Sequence, residues 1–155
     1  MGLPHEHAYD GSVILSLSLT HSSAGFEILE RATAALGHLS TADLLRQAPV
    51  ADEAAGVVVV STCNRFEAYL DIPAAASQTW HDFWVAEIAE RTGLDSDVAA
   101  SAVATRAGSD AMHHLFELTC GLDSLVMGEE EIAGQVRRDY DLARRSGTTS
   151  PDLDQ

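Results

Sequence analysis

Five consecutive residues, Ser61-Thr62-Cys63-Asn64-Arg65, end the most apolar run in the chain and place a thiol two positions from a guanidinium. The thiolate is the nucleophilic form of cysteine, and a nearby cation favours it. An accessible Cys63 beside Arg65 is therefore a candidate for covalent catalysis. The plain alternative is a turn with an incidental Cys63 and a surface Arg65, and these five residues weigh the two evenly. His113 and His114 form a second group. With Met112, Leu115 and Leu118 or Thr119 as the apolar stripe of a helix, His114 falls on or beside that stripe and His113 points elsewhere. A histidine on an apolar edge is more often structural, and the residues alone favour that reading. Near a thiol, a half-buried imidazole would instead serve as acid or base close to neutral pH.

A third group is "GEEEIAGQVRRDYDLARR". Ile132, Val136, Tyr140 and Ala143 make the apolar stripe of a helix, and Glu129 continues it backwards at the helix start. Glu130 and Glu131 complete an acidic first turn, and Arg137, Arg138, Arg144 and Arg145 crowd the second half, both as the helix dipole prefers. That preference explains Glu130 well and Glu129 less well.

The elements that must position these groups are legible in outline. "SVILSLSL" alternates Val13, Leu15, Leu17 and Leu19 against Ser16, Ser18 and Thr20, which predicts a strand with one core face. "SSAGFEILERATAALG" predicts a helix with Phe26, Leu29, Ala32 and Leu36 inward and Ser22 or Ser23 near its cap. "TADLLRQA" predicts a short helix stopped by Pro49. "AGVVVVSTC" predicts a strand at a sheet centre, covered on both faces. "RFEAYLDI" follows at once as its hairpin partner, with Thr62-Cys63-Asn64-Arg65 at the tip. "ASQTWHDFWVAEIAERTG" predicts a helix capped by Ser77, striped by Trp80, Trp84 and Ile88, and ended by Gly93. "SAVATRAG" is a weak strand, a helix runs from about Ser109 toward Cys120, and a last helix spans about Glu129 to Arg145. The order strand, helix, strand, strand, helix, strand predicts an α+β fold: a ferredoxin-like antiparallel sheet with packed helices, followed by a C-terminal helix.

Composition bounds the chemistry. The 155 residues suffice for one domain with a core. The net charge is −15 and all nine basic residues are Arg. A large basic surface for phosphates is thereby excluded, as is Schiff-base chemistry on a lysine. The seven His show no H-x-x-x-H or H-E-x-x-H spacing, so no metal site is expected. Neither G-x-G-x-x-G nor a Walker loop occurs. No run of about 18 apolar residues and no signal-peptide pattern appear, so no membrane association is expected and a cytoplasmic location is the default. Cys63 and Cys120 read as free thiols in such a compartment.

Three separated segments, "LSLTHSSAGFEILERA", "STCNRFEAYL" and "HLFELTCGLDSLVMGEEEIAGQV", together resemble the N-terminal catalytic domain of the glutamyl-tRNA reductase family. The resemblance covers about residues 12 to 150, after a flexible stretch 1–11. It implies that a cysteine thiolate attacks glutamyl-tRNA to form a glutamyl thioester. NADPH then reduces that thioester to glutamate-1-semialdehyde for tetrapyrrole (porphyrin) biosynthesis. On this sequence the nucleophile falls on Cys63 and the catalytic histidine on His114. Substrate contacts fall on Thr62, Asn64, Arg65, Ser124, Glu129, Glu130, Glu131 and Gln135, with Arg65 gripping the glutamate side-chain carboxylate through a planar fork of donors. NADPH would be held by a domain beyond residues 151–155, which begin that continuation, and no cofactor is expected within this chain. The isolated fragment is expected at most to deacylate glutamyl-tRNA. The resemblance also implies a homodimer formed through a C-terminal region of the full-length protein, and an aminomutase as downstream partner.

The sequence departs from the family pattern at three places. Gly128-Glu129-Glu130-Glu131 stands where the family reads G-E-P-Q, Cys120 stands for Ser, and Thr20 stands for the Asn before His21. Glu131 puts a carboxylate where a donor amide would meet a glutamate ligand. Two other readings stand beside the resemblance: a non-catalytic amino-acid-binding or interaction module on the same fold, and a different cysteine hydrolase using Cys63 and His114.

Overall fold

The computed structural model describes residues 11–36, 43, 48, 54–62, 65–120 and 131–155. The expected helix over "TADLLRQA" and almost all of the flexible stretch 1–11 lie outside the described residues. The elements are β1 (Ser12–Thr20), α1 (His21–Ala24), α2 (Phe26–Leu36), β2 (Gly56–Thr62), β3 (Arg65–Pro73), a 3-10 turn (Ala74–Ala76), α3 (Ser77–Thr92), α4 (Ser96–Ala102), β4 (Ala104–Ala107), α5 (Ser109–Thr119) and α6 (Glu131–Arg145). The four strands form one antiparallel sheet in the order β2-β3-β1-β4. With the helices between them, this is the expected ferredoxin-like α+β arrangement followed by a C-terminal helix.

Strand periodicity decides which residues face which layer. Leu15, Leu17 and Leu19 of β1 stand opposite Leu70, Ala68 and Phe66 of β3. With Val57 and Val59 they meet Leu29, Ala32 and Leu36 of α2 and Trp80, Trp84 and Ile88 of α3. Phe66 stacks on Trp84 with ring centroids 5.5 Å apart. Each buried Leu, Ile, Val or Phe side chain here contributes roughly 1.5–3 kcal/mol by leaving water. The other face is covered by α5 and α6.

Several expectations need correction. Strand β2 is an edge strand, although its valines are buried on both faces. Its outer edge is met by the returning C-terminal segment, where the Val57 N–H donates to the Thr148 carbonyl. A Cβ on Gly56 would lie 2.6 Å from the Ser150 backbone nitrogen, so this approach requires glycine. Phe26 is 64% exposed and stacks on His21 instead of entering the core. It begins α2 directly after Gly25, before the helix turns inward. Met112 is exposed as well, and the inward stripe of α5 is Ala111, His114 and Leu118. Ser77 makes no capping hydrogen bond because the 3-10 turn already leads into α3. Gly93 ends α3 in the left-handed conformation, as expected. Helix α4 was not expected: Asp95 caps it by accepting from the Asp97 N–H at 2.9 Å. Among the described residues no helix is long and apolar enough to cross a membrane.

Candidate functional site

Along β1 and β3, the face of the sheet under α5 and α6 is polar by the same alternation that makes the opposite face apolar. Arg65, Glu67 and Tyr69 follow one another at every second position of β3, and Thr20, Ser18 and Ser16 of β1 stand beside them. Ser16 and Ser18 are fully buried and their hydroxyls lie 3.3 Å apart. Small side chains there leave room for a group from the covering helix. That group is His114 of α5, 5% exposed.

Glu67 is the hub. Its Oε1 accepts from Arg65 Nη1 at 3.0 Å and its Oε2 accepts from the Tyr69 hydroxyl at 2.6 Å. His114 Nε2 lies 3.1 and 3.2 Å from the two oxygens. Burial opposes ionisation of Glu67. Hydrogen bonds from His114 and Tyr69, with the charges of His114 and Arg65, outweigh it and hold the carboxyl below its ordinary value near 4.5. Tyr69 is pushed far up, first by burial and then by the charge and hydrogen bond of Glu67, so it stays a neutral donor. A buried carboxylate with three donors is the arrangement in which a buried ion pair is tolerated.

A second set of contacts braces the hairpin end. Asp139 of α6 accepts from the Ser61 N–H at 3.2 Å and from Gln135 Nε2 at 2.9 Å. Gln135 Oε1 accepts from Arg138 Nη2 at 2.8 Å. Burial raises the Asp139 carboxyl above its ordinary value, against the pull of Gln135, Ser61 and Arg138.

Among the sequence candidates, Thr62 and Arg65 are paired across the hairpin, with Cys63 and Asn64 between them in sequence. Arg65 is 1% exposed, which rules out the surface-charge reading. His114 reaches Arg65 through Glu67, and Gln135 reaches the strand end through Asp139. His113 is exposed and pairs with Glu117, away from this group. Cys63, Asn64, Ser124, Glu129 and Glu130 lie outside the described residues, as does the side chain of Glu131, which begins α6. Cys120 is a free, exposed cysteine. Among the described residues no group of His, Cys, Asp and Glu has metal-binding geometry.

Glu67 and Tyr69 were missed as site residues. Their alternation with Phe66 and Leu70 looks like a solvated face. The available signal was their pairing with Val60 and Val58 in a strand already expected to be covered on both sides.

Fold and polar face define a βαββαβ domain whose cysteine-bearing hairpin leads into a buried Arg–Glu–Tyr–His network. A sequence profile described as the N-terminal domain of glutamyl-tRNA(Glu) reductase matches residues 17–155. The chain belongs to this family. It is 39% identical over 145 residues to the glutamyl-tRNA reductase of Clavibacter michiganensis subsp. michiganensis, covering 92% of this chain and 32% of the relative. It is 37% identical over 147 residues to that of Paenarthrobacter aurescens, covering 91% and 31%. The solved glutamyl-tRNA reductase from Methanopyrus kandleri aligns with a TM-score of 0.66 and 28% identity, over 90% of this chain and 30% of that one. The chain thus spans about a third of the length of these relatives.

Proposed function

We propose that this chain is the acyl-transfer domain of a glutamyl-tRNA reductase. The Cys63 thiolate attacks the carbonyl carbon of the glutamyl ester, the ester C–O bond breaks, and the tRNA leaves as its terminal hydroxyl. Glutamate remains as a thioester on Cys63. His114 serves as the acid and base of this exchange, taking the thiol proton and returning it to the leaving oxygen. Arg65 recognises the glutamate side-chain carboxylate, with Thr62, Asn64, Ser124, Gln135 and the segment 129–131 as further contacts. The observation that carries this reading is the Glu67 carboxylate, which holds His114 and Arg65 together immediately behind the residue pair that flanks Cys63.

In the whole protein the thioester would be reduced by NADPH to glutamate-1-semialdehyde, for tetrapyrrole biosynthesis in the cytoplasm. Homodimerisation and a downstream aminomutase belong to the same reading. The residues here do not fit NADPH. The sequence has no glycine-rich phosphate loop, and a pocket with paired arginines, Arg144 and Arg145, also presents Asp141.

The test is deacylation of glutamyl-tRNA without NADPH, by this chain and by Cys63→Ser. Glutamate release that depends on Cys63 is expected. Equal release by both proteins, or none by either, overturns the assignment of thioester formation to this chain.

A further inference from the structure

The two nitrogens of His114 have different surroundings. Nε2 faces both oxygens of Glu67 at 3.1 and 3.2 Å, whereas no hydrogen bond to Nδ1 occurs among the described residues. The Glu67 carboxylate already accepts from Arg65 and from Tyr69, and an ionised carboxylate has no proton to give. The nitrogen facing it must therefore be the one that carries hydrogen.

We propose that Glu67, held in place by the Tyr69 hydroxyl, fixes His114 with its proton on Nε2, so that Nδ1 is the nitrogen that does the acid–base work of the site. Tyr69 and Glu67 are then positioning residues. Neither is placed against substrate, and both act through the imidazole. This rests on the proposed acyl transfer for its consequence, but not for its geometry.

The charged and titratable groups around Glu67 allow this order of donors. Arg65 and Tyr69 flank it on β3, His114 covers it from α5, and the charge of Arg106 on β4 weakly opposes the rise that burial and Glu67 impose on Tyr69. Opposite it, β1 and β2 present only Ser18 and Val60. Asp139 of α6 is bound to Ser61 and Gln135. The short Tyr69 contact also limits the carboxylate's freedom to swing away from the ring. Removing that hydroxyl keeps the aromatic body and its packing but releases one oxygen of the hub.

The test has two arms on the same 155-residue chain. Nitrogen-15 shifts of the His114 ring, read in its neutral form, report the tautomer with no need for activity. The expected result is hydrogen on Nε2. Hydrogen on Nδ1 overturns the proposal, whether or not the chain deacylates glutamyl-tRNA. Tyr69→Phe is then compared with the parent in Cys63-dependent deacylation. A fall in kcat of about tenfold with KM within about twofold is expected, because the lost contact orders an acid–base group and not a ligand. The acid limb of the rate profile should also move toward higher pH, since a hydrogen bond that lowers the Glu67 pKa is gone. An unchanged kcat and profile in a folded Tyr69→Phe protein would remove Tyr69 from this role. If the parent chain shows no deacylation, the acyl-transfer reading fails and the nitrogen shifts alone decide the tautomer.

Discussion

The two faces of the sheet come from the same strands, one residue out of step, yet they are held by different physics. On one face Leu15, Leu17, Leu19, Phe66, Ala68 and Leu70 pack under Trp80 and Trp84. On the other, Arg65, Tyr69 and His114 meet the two oxygens of Glu67 at fixed distances. Apolar packing is non-directional and rewards volume. A buried carboxylate with three donors rewards only one arrangement and penalises every partial one. The apolar face should thus tolerate exchange of shape for shape, and the polar face only exchange of the whole set.

The largest effect should come from breaking the polar set in part. Glu67→Ala removes the buried carboxylate that Arg65, Tyr69 and His114 share, with an expected loss of about 3–5 kcal/mol. Replacing the whole set, as Arg65→Met, Glu67→Leu, Tyr69→Phe and His114→Leu together, should recover most of that stability in urea unfolding while abolishing deacylation. Failure of this fourfold variant to regain stability would mean that the network also organises the fold. On the apolar face, Leu17→Ala should lose about 2–5 kcal/mol, and Leu17→Met less than about 1.5 kcal/mol. A similar loss for both would show that this face, too, depends on one shape.

A smaller effect separates the two carboxylates by pH. Glu67 has a lowered pKa when folded, so its contribution is present above its ordinary value near 4.5 and is lost as pH falls through the folded value. Asp139 has a raised pKa, so its ionised form is a penalty that disappears as pH falls from its folded value toward its ordinary value of 3.8. Melting curves of Glu67→Gln should show a shallower acid-side loss than the parent, and those of Asp139→Asn a steeper one. The same slope in all three proteins would contradict both assignments. The smallest effect should be Phe26→Ser, at a 64% exposed position outside either face, with a change within about 0.5 kcal/mol.

Much of this contrast was legible in the sequence. The alternation of β1, the hairpin of β2 and β3, and the Trp80–Trp84–Ile88 stripe all rest on local periodicity, and the structure keeps them. Helix α4 escaped because "SDVAASA" is short and built of small residues, with no apolar period to read. Glu67 escaped for another reason. Its burial is created by His114, 47 residues away, and period-two alternation cannot tell a face covered by a distant helix from one covered by water. The valines of β2 carried that information, but for their own strand and not for its neighbour. Met112 failed in the reverse sense, since a hydrophobic type was read as inward while His114 took the inward position beside a carboxylate.

The return of the chain onto Gly56 and Val57 has a consequence for self-association. An edge strand rich in valine is a template on which another copy can add a strand, and such edges seed fibres when left bare. Here part of that edge is occupied by the segment around Thr148 and Ser150, at a glycine where only a backbone fits. The opposite edge, β4, is four residues long and carries Arg106. Clipping within residues 148–155 would therefore uncover the more adhesive of the two edges. Light scattering after mild proteolysis should show growth of aggregates before any loss of helix content.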